Sequence, residues 1–407
     1  MQTISQNSKS YMQEKIAMLL LALFPLLHWY NIGLPVGLGE LLMFLVAVVA
    51  FATGRIRYNA IPKSFFFVFA YVSLSWYIQN SNFSLMGLLP GGPIFFFFLI
   101  TVLAGVSLFN IGYLKTYMRV IVIVSIIIFL FQFIVLQTTG IRFCCVPNLT
   151  GSFMYEDLTY ASLAERHFVS TNPCAIFLEK SYMAYYLVMY LCLELFHGKG
   201  KEVLYTRFSL LIVFVLLILK SGSGILGVFI PIAIKIISFF WEKKNIRIAI
   251  LITITPFIAL MIYLYAITEI GAAMLERQSE ITTEGTSGFT RIIYGYSFYE
   301  NLTPKQQCFG TSVSEINDLI YLSYIDRRFS LNGIQYPLIQ LGIIGLSIWI
   351  LFYVKLFWTG DLCSRSCILV FFLLSSLEVV YLGPYMAILT IIACSQVKKF
   401  NSLKIQA

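Results

Sequence analysis

The chain has 407 residues, of which 59% are hydrophobic and only 12% charged. Soluble domains carry roughly a quarter charged residues, so this balance excludes an ordinary water-soluble fold and requires apolar surface facing lipid. The formal charge of +9 does not argue for nucleic acid, because Lys and Arg sit in short clusters between apolar segments rather than in one stripe.

Apolar segments long enough to cross about 30 Å of hydrocarbon recur along the chain. They fall at 16–30, 37–53, 64–79, 92–110, 118–137, 180–197, 205–220, 223–241, 247–268, 333–354, 364–381 and 384–397. The pattern predicts an all-α, polytopic integral membrane helical bundle of about twelve transmembrane helices, one domain over 1–407. The first segment runs straight into the second, as an uncleaved first span does, rather than ending in a signal-peptide cleavage site.

The charges orient the bundle. Lys9 and Lys15 precede the first span, and Arg55, Arg57 and Lys63 follow the second. Lys115 and Arg119, then Lys199, Lys201 and Arg207, then Lys243, Lys244 and Arg247 follow the fourth, sixth and eighth. Lys355 and Arg365 follow the tenth, and Lys398, Lys399 and Lys404 close the chain. The short connections 31–36 and 80–91 hold no Lys or Arg. Positive charge accumulates on the cytoplasmic side, so both termini are expected there.

Two long hydrophilic connections, about 138–179 and 269–332, fall on the outer side and break the charge trend with Arg142, Arg166, Arg277, Arg291, Arg327 and Arg328. Long loops of this kind are functional or disordered. Their aromatic residues, among them Phe153, Tyr155, Tyr160, Phe168, Tyr294, Phe298, Tyr321 and Tyr324, predict a folded cap over the bundle.

Metal chemistry has little support. The three His (His28, His167, His197) are scattered, and neither HxxxH nor CxxC occurs. Cys144, Cys145, Cys174 and Cys308 lie in the outer loops. A bridge from Cys144 or Cys145 to Cys174 would tether the first loop, and unbridged buried thiols fit the sequence equally well. Gly-rich phosphate loops of the Walker or Rossmann type are absent, which excludes an ATP-driven pump within this chain.

The stretch 165–186 sets Arg166 in the outer loop and Glu179 at the lip of the sixth span. Glu179 either answers the helix dipole, the more frequent role, or orients an Arg and helps activate an acceptor hydroxyl. Lys220-Ser221-Gly222-Ser223-Gly224 makes a tight outer turn whose backbone N–H groups can hold an anion, with Lys220 assisting or merely snorkelling. Lys235 lies inside an apolar span, where its charge must face the bundle or a wet cavity. Arg291, Arg327 and Arg328 suit bidentate contacts to a pyrophosphate, or stand solvated as most surface Arg do.

At these residues the chain resembles a Wzy-type polymerase of the O-antigen ligase/polymerase superfamily. Phe177-Leu178-Glu179-Lys180-Ser181-Tyr182 resembles the family's FLEPS block, and Ser221-Gly222-Ser223-Gly224 its serine-rich hairpin. Arg291, Gly310 and the helix from Gly342 to Gly345 follow in the family's order, so the resemblance covers roughly 165 to 350. Lys180 stands where the family often has Pro, the hairpin lacks an Arg, and no His precedes Asn332 as in ligases. That last difference favours polymerase over ligase and leaves the general base unassigned.

The resemblance implies transfer of a growing glycan from undecaprenyl pyrophosphate onto the next lipid-linked repeat unit, at the periplasmic face of a bacterial inner membrane. It implies catalytic roles for Arg166, Glu179 and Arg291 and substrate binding by Lys220, Arg327 and Arg328, with no metal or cofactor. The expected partners are undecaprenyl-pyrophosphate-linked oligosaccharides and membrane lipid, with a chain-length regulator protein and a flippase as candidates. An O-antigen ligase, a lipid-linked oligosaccharide flippase and a scaffold protein are the competing readings. A flippase should show two related halves, which this sequence does not.

Overall fold

The computed structural model describes residues 2–34, 36–58, 61–79, 92–154, 159–169, 173–241, 289–311, 331–377 and 381–406, together with positions 279 and 283. Its helices in chain order are α1 (Gln2–Leu27), α2 (Leu38–Ala52), α3 (Lys63–Gln79), α4 (Gly92–Ser107) and α5 (Ile111–Thr139). Then come α6 (Tyr160–Val169), α7 (Lys180–Phe196), α8 (Arg207–Leu219) and α9 (Gly222–Trp241). A π-helical turn at Thr290–Tyr294 leads into the short helices α10 (Gly295–Glu300) and α11 (Pro304–Phe309). The chain closes with α12 (Gln335–Thr359), α13 (Leu362–Leu377) and α14 (Pro384–Gln406). Every expected span falls on a helix except 247–268, which lies outside the described residues.

The described residues are thus all-helical, without a β-strand, and form a helical membrane protein. Among them α5, the stretch Gly222–Phe239 of α9 and α12 are long and apolar enough to cross a membrane. The other apolar helices, including α2, α8 and α13, are 10–17 residues long. Large apolar side chains stand exposed along these rods, among them Phe67 on α3, Val49 on α2, and Ile127, Phe131 and Ile134 on α5. Such a surface would drive aggregation in water and suits hydrocarbon.

The core is organised around α7. All its residues from Met183 to Phe196 are buried, as expected of a helix apolar all round. It packs against α5, α8, α9 and α13. Small residues set the closest approach: a Cβ on Gly224 would lie 2.6 Å from that of Ala184, and one on Gly227 3.3 Å from Val188. Helix ends are specified locally. Asn110 caps α5 by accepting from the N–H groups of Gly112 and Tyr113, and left-handed Gly140 ends it. Thr206 and Ser209 form a capping box at the start of α8.

The two ends of the bundle differ in composition. At the basic end α2, α4, α7 and α12 terminate, near Arg55, Arg57, Lys115, Lys199, Lys201 and Arg365. At the loop end lie the segments 140–154, 159–169 and 289–311. The first of these is held over the end of α1, where the Tyr30 hydroxyl donates to the Pro147 carbonyl at 2.5 Å. Tyr30, Val146, Phe153, Leu163 and Leu178 form a small apolar cluster there.

Candidate functional site

The candidate site is built from the loop end. Ahead of α7 the chain turns through Ala175, which has a positive φ of 53°. The buried Gln132 amide of α5 holds this turn, accepting from the Ala175 N–H at 2.9 Å and donating to the Phe143 carbonyl at 3.0 Å. One side chain thereby ties the 140s segment to the Phe177–Tyr182 block. Glu179 is the residue at the N-cap of α7, with its side chain exposed and making no capping bond to the helix backbone. It accepts instead from the Ser181 hydroxyl at 3.3 Å. Three residues after Glu179, Tyr182 stacks on Trp29 with ring centroids 4.9 Å apart, and its carbonyl accepts from the Tyr385 hydroxyl at 2.9 Å. The starts of α7 and α14 and the end of α1 therefore meet in one aromatic group.

Beside this block, left-handed Lys220 (φ 51°) ends α8 and stands exposed. Ser221 and Ser223 lie with their hydroxyls 3.3 Å apart. The link between α8 and α9 is only Lys220 and Ser221. Gly222–Gly224, expected as part of a tight turn, form the first turn of α9, and the contact of Gly224 with Ala184 sets it near the N-terminus of α7, at the same end as Glu179.

The second loop is anchored at a break in α12. Gly342 has φ 67° and ψ 179° inside the helix, a conformation essentially reserved for glycine. The break frees carbonyls that a continuous helix would bond internally. Thr311 N–H donates to the Ile339 carbonyl at 2.9 Å, and the Tyr71 hydroxyl to the Leu341 carbonyl at 3.0 Å. Ser75 of α3 adds a bond to the Phe309 carbonyl at 2.8 Å. The fit is tight: a Cβ on Gly342 would lie 2.3 Å from the Cys308 carbonyl oxygen, and one on Gly310 2.1 Å from that of Gln340. Gly310 and Gly342, separate blocks in the sequence, are thus two halves of one backbone crossing.

Arg291 lies in the π-helical turn, which Gln335 secures by donating to the Ile292 carbonyl at 2.9 Å. Asn332 caps α12, accepting from the N–H groups of Ile334 and Gln335, and donates to the Ser376 carbonyl at the end of α13. Arg166 lies in α6, three residues beyond Leu163, which packs with Leu178 and Tyr30. The backbones of Arg166 and Arg291 are described and their side chains are not; Arg327 and Arg328 lie outside the described residues. The loop end thus gathers Glu179, Lys220 and the segments bearing Arg166 and Arg291.

Two clusters escaped the sequence reading. At the loop end, His28 Nδ1 and Glu40 Oε1 are hydrogen-bonded across the α1–α2 turn, with 24% and 12% of their side-chain surfaces exposed. At the basic end, Glu194 is buried in α7 and fully partnered. Its Oε2 takes Lys115 at 3.0 Å and the Tyr190 hydroxyl at 3.0 Å, while Oε1 takes the Thr206 hydroxyl at 3.0 Å. Lys235 is buried close by and donates to the carbonyls of Gly200 and Lys201 at 2.7 and 3.0 Å. It faces the bundle, as its position in an apolar span demands. Both clusters join residues distant in sequence or across a turn, with no spacing motif to reveal them.

Among the described residues no group of three His, Cys, Asp or Glu is arranged to hold a metal. Cys144, Cys145 and Cys174 form no disulfide. The Cys174 thiol donates to the Phe177 carbonyl at 3.2 Å. Burial raises the pKa of all three thiols, which keeps them protonated near neutrality. No protein-family model matches the chain, and no curated protein matches it in sequence.

Proposed function

We propose that the chain is a Wzy-type O-antigen polymerase, a metal-independent glycosyltransferase of the bacterial inner membrane with about twelve spans and both termini cytoplasmic. The loop end would then be periplasmic, with the connections 138–179 and 269–332 as its cap. One observation supports this reading above the rest. The Phe177–Tyr182 block, the Ser221–Gly224 start of α9, the Gly310–Gly342 crossing and the Arg291 turn all converge on one end of the bundle.

The proposed chemistry needs no nucleotide, because the glycan donor is already activated by its lipid pyrophosphate. An acceptor hydroxyl on the next lipid-linked repeat unit attacks the anomeric carbon, and undecaprenyl pyrophosphate departs with the bonding electrons. Arg166 and Arg291 would hold the developing negative charge, assisted by Lys220 and by Arg327 or Arg328. Aromatic side chains at the loop end, such as exposed Tyr294 and Tyr296, offer faces for sugar rings.

Deleting the gene and resolving the host's lipopolysaccharide on a silver-stained gel tests this reading. It predicts core bearing a single repeat unit, with the ladder lost. Complementation with Arg291→Ala should insert normally and leave the ladder absent, as loss of about 10²–10³ in rate would do. Bare core with polymer kept on the lipid carrier would indicate a ligase instead, and bare core without exported polymer a flippase. An unchanged ladder would contradict a role in that surface polymer.

A further inference from the structure

His28 and Glu40 hold chemistry that packing alone does not use. His28 follows the last turn of α1, and Glu40 occupies the first turn of α2. The imidazole is fixed on both sides, edge-on to Phe24 with centroids 6.1 Å apart and against Trp29 at 4.5 Å. Its Nδ1 meets Glu40 Oε1. The second carboxylate oxygen, Oε2, is buried without a hydrogen-bond partner. A buried carboxylate oxygen left unpaired is costly, and the one in α7 shows how this fold satisfies a carboxylate meant only for structure, with partners on both oxygens.

The pair also lines a cavity of about 80 Å³ whose other walls include Phe24, Phe98, Met154 and Leu382. Met154 belongs to the 140–154 segment and is held by its N–H to the Trp29 carbonyl at 2.8 Å. Leu382, in the turn before α14, has a positive φ of 54°. Non-glycine residues rarely adopt that conformation, and strain of this kind gathers at ligand walls. Room beside the pair depends on Gly37, where a Cβ would lie 1.8 Å from the His28 carbonyl oxygen and 2.9 Å from Glu40 Oε2. Trp29, against the His28 ring, stacks in turn on Tyr182 in the first turn of α7. The cavity therefore has in its wall an oriented carboxylate whose second oxygen is covered and unsatisfied, with apolar side chains around it and the partly exposed His28 beside it.

We propose that Glu40, oriented by His28, is the general base that takes the proton from the acceptor sugar's hydroxyl. This deepens the polymerase reading and rests on it. The acceptor oxygen forms its bond to the donor's anomeric carbon as the O–H proton passes to the Glu40 carboxylate. The bond from that carbon to the pyrophosphate oxygen breaks, and the lipid pyrophosphate leaves with the electron pair. Glu40 later returns the proton to water, so the cycle needs no further reactant.

The test uses the full-length protein in liposomes with an undecaprenyl-pyrophosphate-linked repeat unit, and reads initial rates of chain extension. Glu40→Gln should lower the rate about 100-fold, the lower range for loss of a general base, with affinity for the lipid-linked donor unchanged. Added formate should restore turnover to Glu40→Ala, whose truncated side chain leaves room for it, and not to Arg291→Ala. If Glu40→Gln does not purify as a monodisperse protein, Glu40→Asp decides. It keeps the carboxylate but withdraws it by one methylene, and should lose about tenfold or more. A Glu40 variant at the wild-type rate, with Arg291→Ala inactive, would overturn the base assignment and leave the polymerase reading standing. A wild-type protein that extends no lipid-linked repeat unit would overturn both.

Discussion

The two ends of the bundle each hold a buried or half-buried Glu paired with a basic side chain, and they treat it in opposite ways. At the basic end Glu194 has Lys115, Tyr190 and Thr206 on its two oxygens, and Lys115 also donates to the His197 carbonyl at 2.8 Å. Every polar group in that cluster works on another part of the chain, clamping the turn after α7. At the loop end Glu40 has one oxygen on His28 and the other buried and unpartnered in the wall of a cavity. Saturation marks a residue kept for the fold, whereas spare hydrogen-bonding capacity in a cavity wall marks one available to a ligand.

Substitutions at the two ends should separate accordingly. The largest effect on stability is expected from Glu194→Ala, which strands Lys115 without its partner and should cost about 3–5 kcal/mol, read as unfolding in mixed micelles. The double variant Lys115→Met with Glu194→Leu should recover much of that loss, since neither member of the pair is left buried without the other. At the loop end Gly342→Ala should cost about 1–3 kcal/mol from backbone conformation. It should also free 289–311 to protease, because the Cys308 carbonyl occupies the space a Cβ needs. Tyr71→Phe removes one hydroxyl bond to the same crossing and should cost about 0.5–1.5 kcal/mol. Smallest of all, Glu40→Gln should shift stability by no more than about 1 kcal/mol, because Gln still accepts from His28. A loss at Glu40 as large as that at Glu194 would erase the distinction between the ends.

Much of this architecture was legible before any coordinates. Runs such as Ile121–Leu136 are apolar on all faces and can only be membrane or core helices. The short basic connections distinguish one end of the bundle from the other. The glycines after Lys220 read as a tight turn, whereas in the fold Gly224 lets α9 pack closely on α7. What the sequence withheld was pairing over distance. Gly310 and Gly342 read as two separate blocks, yet they form one crossing, because the reason for each glycine is the other's backbone. Glu194 sits in an otherwise apolar run, and its lysine is on α5. His28 lacked a metal motif and drew no further attention, since its partner lies across the α1–α2 turn. Such pairs are fixed by tertiary packing, which no local period encodes.

The central claim is that this bundle joins lipid-linked glycans at its loop end. Purified protein in liposomes, given a single undecaprenyl-pyrophosphate-linked repeat unit and no nucleotide or metal, tests it most directly. The account predicts a ladder of products differing by one repeat unit, with undecaprenyl pyrophosphate released for each bond formed. Repeat units recovered unextended, from protein shown to be folded, would contradict it.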